Sequence, residues 1–260
     1  MIFNKHIMEQ YQKRLEESVA SFKKFKTIYL KNINDNFNLK NTLFPFSIDL
    51  GKQVVYYFFI ENNIEKSKQY AYLAGKFVTY DILFNNSSSL QLLDNATFLL
   101  LSDNKKLINN FSRLKHSTYS EDVIQYINFT ACIQAVLRED WKHLEELNSY
   151  TKVNIEKKSG WKKYQGDLMF FEAFLEKDSN KMKEAIELLI SKKWHKRRYD
   201  MPLFNELISL PALAYAKLAY IKGYELDIDN PLIPKELLPI EPNSEYWDYD
   251  FMKTGEYKDV

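Results

Sequence analysis

Apolar residues recur at intervals of three and four along most of this chain, the spacing that lines one face of an α-helix. Met182, Ala185, Ile186, Leu189 and Ile190 form the clearest such stripe. Asp178 stands just ahead of it, where a carboxylate caps the first free N–H groups. Ile124, Ile127 and Ala131 form another, with Ser120 as its N-cap. Glu121 and Asp122 fall in its first turn, where acidic side chains complement the helix dipole. A third stripe runs through Leu207, Leu210, Ala214, Leu218 and Ile221 and stops at Gly223, a residue suited to a left-handed cap. Pro211 lies inside it: either Ser209 caps a fresh helix there or the proline kinks a longer one. Val54 to Ile60 is β-prone by residue type, but it does not alternate. It reads as a fully buried helix from about Asp49 to Glu61.

A short pattern repeats through these stripes. Ala96 to Leu100 is followed by Asp103, Ala135 to Leu137 by Asp140, and Ala173 to Leu175 by Asp178. In each, Leu-x-x-Asp closes one helix and the aspartate opens the next. The aspartates stand 37 and 38 residues apart, and a looser copy turns at Glu61 to Asn63. That period suits stacked helical hairpins, none of which buries its apolar stripe without a neighbour. The expected fold is all-α, a tetratricopeptide-like array of antiparallel helical hairpins with an extended, proline-containing C-terminal segment. Residues 1–240 are expected to form one all-helical domain, and 241–260 an acidic, aromatic tail packed on it or extending from it.

Composition narrows the function classes. The chain has 260 residues, 45% of them hydrophobic and 15% aromatic, which sets it apart from disordered proteins. Six Gly and seven Pro are too few for a sandwich or barrel, which needs turn residues roughly every 8–12 positions. A formal net charge of +1 supplies no global field to hold nucleic acid or membrane. The longest apolar run, Val54 to Ile60, has seven residues, far short of a membrane span. The N-terminus turns charged at once and carries no signal-peptide core, and Cys132 has no second cysteine to pair with. A cytoplasmic protein is expected.

No catalytic constellation stands out. His6, His116, His143 and His195 are far apart and none belongs to a His-x-x-x-His pair. His143 with Glu146 on one helix face is an ordinary polar pairing. Cys132 sits in the apolar run Phe129 to Val136, where a small buried thiol is the natural occupant. There is no Gly-x-Ser-x-Gly elbow, Walker loop or dinucleotide fingerprint. The expectation is a protein that is not an enzyme and takes no cofactor and no metal.

Two segments carry a charge bias. Lys152 to Arg198 holds 13 basic against 7 acidic residues, most sharply in Lys192 to Tyr199. Those cations either complement the end of the helix begun near Asp178 or grip phosphates while Trp194 and Tyr199 stack on bases. The first reading is favoured, so nucleic acid is not the expected partner. Glu225 to Asp250 reverses the bias, with 8 acidic residues against 1 basic, and its Pro231, Pro234, Pro239 and Pro242 exclude one helix. It either straps across the last helices, burying Tyr246 and Trp247, or offers a basic partner a negative surface with aromatic anchors. As a partner surface it would use Glu225, Asp227, Asp229, Glu245, Tyr246, Trp247, Asp248, Tyr249 and Asp250.

The stretch from Leu207 to Leu238 resembles the immunity protein 49 family, bacterial proteins encoded beside polymorphic toxins. The resemblance rests on an apolar helix with Leu218-Ala219 near its end, then Gly223, a short extended segment, Pro234, and the paired Leu237 and Leu238. The helix pair from Gly166-Asp167 to Ile190 is similar too, so the resemblance spans Tyr164 to Leu238, and the N-terminal half by architecture alone. The matching residues are structural in type: a cap, a turn proline, core leucines. The resemblance implies an immunity protein that binds and neutralises a cognate toxin domain, covering its active site or locking it inactive. A nuclease is one candidate for that toxin, and a basic nuclease would make Glu225 to Asp250 the expected contact. The alternatives are a helical-repeat scaffold for another protein, or a nucleic-acid binder using residues 192–198.

Overall fold

Helical spacing becomes helix throughout the computed structural model, which describes residues 5–33, 39–86, 93–126, 128–198, 207–253 and 258. Among them the chain is all-α, with no strand. In chain order the helices are α1 (Lys5–Ile33), α2 (Leu39–Phe59), α3 (Ile64–Asn85), α4 (Leu93–Leu101), α5 (Lys105–Phe111) and α6 (Tyr119–Gln125). They continue as α7 (Phe129–Arg138), α8 (Trp141–Lys157), α9 (Gln165–Glu176), α10 (Ser179–Ile190), α11 (Lys192–Arg198) and α12 (Leu210–Ile221).

Four joints share one geometry. A residue in the left-handed region ends a helix and an Asn or Asp follows it to cap the next: Asn62-Asn63, Asp103-Asn104, Glu139-Asp140 and Lys177-Asp178. The cap side chains accept from Lys66 N–H at 2.9 Å, Leu107 N–H at 2.9 Å, His143 N–H at 3.3 Å and Lys181 N–H at 3.1 Å. At the last two joints the aspartate N–H also returns to Ala135 O (2.9 Å) and Ala173 O (3.0 Å), closing the preceding helix. Asp103 itself takes the left-handed position, and Asn104 does the capping, one residue later than the Leu-x-x-Asp pattern places it. A regular stack of hairpins is compatible with these joints.

Elsewhere the boundaries move for local reasons. The stripe through Ile124 and Ala131 is two helices, because the Asn128 side chain caps α7 through Ala131 N–H (3.0 Å); α6 starts after Thr118, not Ser120. Ser209 opens α12 with Pro211 in its first turn, where a missing N–H costs nothing, so a fresh helix begins there. Helix α2 starts ten residues earlier than expected and runs through Pro45, which is exposed. Within α2, Val54 and Val55 are buried, but Tyr56 to Phe59 are half-buried.

The chain divides into two compact units. One comprises Met1–Ser89, Phe98–Asn110 and Glu241–Val260; the other comprises Leu90–Thr97 and Phe111–Ile240. In the first unit α1, α2 and α3 pack around Leu15, Phe22, Leu50, Leu73 and Phe77, with Phe46 and Phe77 in edge contact at 4.5 Å. Gly51 lets the Phe98 ring approach α2 so closely that a Cβ would lie 2.6 Å from it. In the second unit α9 packs against α8 and α10, and α10 against α12. Its centre is aromatic: Phe170 stacks on Tyr215 at 4.6 Å, with Phe171 and Phe174 fully buried beside them.

Candidate partner-binding surfaces

The acidic, aromatic segment of the first unit is fastened along one face of α3. Glu65, Lys68, Gln69, Tyr72 and Lys76 recur at helical spacing, and each meets residues 241–248. Lys68 Nζ donates to Glu241 O (2.6 Å) and pairs with Asp103 (2.8 Å), both side chains almost wholly buried. Asn243 donates to Glu65 O (2.8 Å), and the Tyr246 hydroxyl donates to Ser102 O. The Gln69 amide clamps the Trp247 backbone from both sides, at 2.9 and 3.0 Å. Tyr72 donates to Asp248 (3.0 Å), and Lys76 lies 3.2 Å from the same carboxylate. Tyr249 is buried, stacked against Phe46 at 5.8 Å with Lys26 5.0 Å above its ring.

The strap therefore uses Tyr246, Asp248 and Tyr249 internally. Trp247, which the strap reading would bury and the anchor reading would expose, is 44% exposed, with its backbone rather than its ring held. Glu245 and Asp250 also face water, Asp250 beside Lys253 at 2.9 Å.

Burial raises the phenol pKa of Tyr70, Tyr72, Tyr246 and Tyr249 above the ordinary value of 10.0. An unfolded tyrosine releases its proton near that value while these hold theirs, so the folded state binds more protons and loses stability as pH rises above it. Lys76 works the other way. Burial lowers its pKa below 10.5, so its cost to folding fades as pH approaches that value. Four tyrosines outweigh one lysine. Raising the pH beyond 10 should unfold the first unit, with tyrosinate absorbance climbing in step with loss of helical circular dichroism. A gradual tyrosinate rise with the helix signal intact would contradict it.

In the second unit the chain beyond α12 is extended and alternates. Leu226 and Ile228 are buried, and Glu225, Asp227 and Asp229 between them face water. Asp229 lies 3.2 Å from Lys235; Glu225 and Asp227 have no cationic partner among the described residues. Lys217, fully buried on α12, holds the far end of this segment. Its Nζ donates to the carbonyls of Leu237 (3.0 Å), Leu238 (3.1 Å) and Pro239 (2.8 Å). The nine residues singled out from the sequence thus fall in two units, Glu225, Asp227 and Asp229 in one and residues 245–250 in the other.

The basic run forms its own helix, α11, because Ser191 breaks α10 in an extended conformation, its hydroxyl bonded to Leu188 O (2.7 Å). Lys193 and Arg197 lie 5.4 and 5.8 Å from the Trp194 ring, so its face is already taken by cations of the same helix. Tyr199 lies outside the described residues.

A further site escapes linear reading. In the second unit a cleft of 440 Å³ is lined by Arg113, Lys115, Arg138, Asp140, Lys142, His143 and Glu146. Arg138 donates to Ser112 O and lies 3.8 Å from Asp140. His143 Nε2 stands 3.2 Å from the Tyr119 hydroxyl and its Nδ1 3.4 Å from Glu146. A ring protonated on Nδ1 accepts from the tyrosine and donates to the carboxylate. The one signal was the His143–Glu146 spacing; Arg113 and Lys115 come from the loop after α5, which no motif links to α8. Cys132 is buried and its thiol pKa pushed far up by desolvation, which leaves it unreactive.

Among the described residues no three His, Cys, Asp or Glu side chains are grouped to hold a metal ion, and no helix is long and apolar enough to cross a membrane. No curated protein and no solved structure matches the chain. A family model described as Immunity protein 49 matches residues 99–237.

Proposed function

Since this chain belongs to the immunity protein 49 family, we propose that it acts in the cytoplasm by binding a cognate toxin domain, covering its active site or locking it inactive. The observation that carries this reading is the acidic edge of the second unit. Glu225, Asp227 and Asp229 project from an extended stretch whose other side chains are buried. Fixed, like-charged carboxylates speed capture of a basic partner such as a nuclease. Stable inhibition takes an interface on the order of 1,600 Å² with aromatic anchors near its centre.

The test is co-expression with the toxic domain of a neighbouring gene. Growth should depend on this protein, and the two should co-purify. Reversing Glu225, Asp227 and Asp229 to Lys should slow association and weaken the complex by roughly a hundredfold. Unchanged affinity would remove the edge as the contact, and rescue without any complex would remove binding as the mechanism.

A further inference from the structure

We infer that the cleft between the loop after α5 and the start of α8 binds a compact phosphate-bearing anion. This inference does not depend on the toxin reading. Four of the seven lining side chains are cations and two are carboxylates. Both carboxylates are engaged within the cleft, Asp140 by the His143 N–H and Arg138, and Glu146 by His143. Arg113, Lys115 and Lys142 have no carboxylate partner among the described residues, and Lys115 rests over the Tyr119 ring at 5.0 Å. Like charges gathered around a concave space repel one another unless an anion joins them.

Helix α8 opens at the same place with Lys142 in its first turn, and the Asp140 carboxylate caps it. No aliphatic side chain lines the cleft, and its one ring, His143, is held between the Tyr119 hydroxyl and Glu146. What the lining offers is the Arg113 guanidinium, able to fork onto phosphate oxygens, and the Lys115 and Lys142 ammoniums to neutralise them, with Arg138 held beside them by Ser112 and Asp140. A diphosphate or triphosphate group fits that chemistry, recognised through its oxygens rather than through any base.

The probe is pyrophosphate, titrated calorimetrically into the full chain at low ionic strength. Arg113 and Lys142 are exposed, so Arg113→Gln with Lys142→Gln should keep the fold, checked by circular dichroism. Pyrophosphate should bind the parent protein and bind this double variant about tenfold more weakly or worse. Lys193→Gln with Arg197→Gln on α11 should leave the affinity unchanged. No binding to the parent, an equal loss in both double variants, or tighter binding of an acidic heptapeptide than of pyrophosphate would each overturn the assignment.

Discussion

Replacing Lys217 by Met should lower the stability of the second unit by about 3–5 kcal/mol, a large share of what a domain of this size possesses. The lysine is wholly buried, and its ammonium is held by three consecutive backbone carbonyls at 2.8–3.1 Å. Methionine has nearly the same length and reaches the same space, so the packing term is small. The loss comes from the carbonyls of Leu237 and Leu238, left dry without a donor, each costing about 1–3 kcal/mol. Removing the ammonium also removes its own desolvation cost, which keeps the total below the sum of three bonds. Urea unfolding of parent and variant provides the measurement. A loss under about 1 kcal/mol would mean that water reaches those carbonyls and that the ammonium is not their essential donor. Because the same residues anchor the extended stretch behind the acidic edge, the variant should also capture its partner more slowly, even at temperatures where it remains folded.

The second large effect lies at Asp103 in the first unit. Its carboxylate pairs with Lys68 at 2.8 Å with both groups out of water, and it also accepts the Glu241 N–H at 3.3 Å. Asp103→Ala strands the Lys68 charge in the interior and places an alanine at φ 55°, where a side chain without a local hydrogen bond is strained. The expected cost is about 3–5 kcal/mol. Asp103→Asn separates the two contributions, since asparagine tolerates the left-handed region and still accepts the amide. It should cost less than alanine, and the difference reports the backbone and hydrogen-bond part. Proteolysis should move with the thermodynamics: residues 241–253 become the first cut in the alanine variant. If both variants unfold like the parent, Lys68 finds a new acceptor and the pair is not what secures the strap.

How much of this was legible in the sequence follows from which features are local. The caps at Asp140 and Asp178 are read directly, because a cap needs only its own side chain and the N–H groups two or three residues on. Asp103 has the same signature and takes a different role, since its carboxylate is drawn into the pair with Lys68, which lies on another helix. Val54 to Ile60 was recognisable as helix, yet not its half-buried ring-bearing face, which depends on what covers it. Alternation at Glu225 to Asp229 carried through, because period two is visible in five residues. The basic cleft did not, since Arg113 and Arg138 come together only through tertiary folding, and no spacing tells whether Trp247 lies under the strap or stands out from it, because its backbone carries the attachment. The polar stripe on α3 was available at helical spacing. It reads as a solvated face unless residues 241–248 are known to lie on it.

The distance along the chain between α3 and its strap has a consequence for how the protein is made. Lys68 waits for Glu241, 173 positions downstream. At roughly 5–20 residues translated per second, that delay is on the order of ten to thirty seconds on the ribosome. Throughout it, Lys68 has Asp103 but not its carbonyl acceptor, and Gln69, Tyr72 and Lys76 lack their partners in the strap. Every residue of the second unit, its acidic edge included, is added by Ile240, while the residues that fasten the first unit are still to come. Any product cut short by stalling upstream of Glu241 would carry that edge on a body that cannot be sealed.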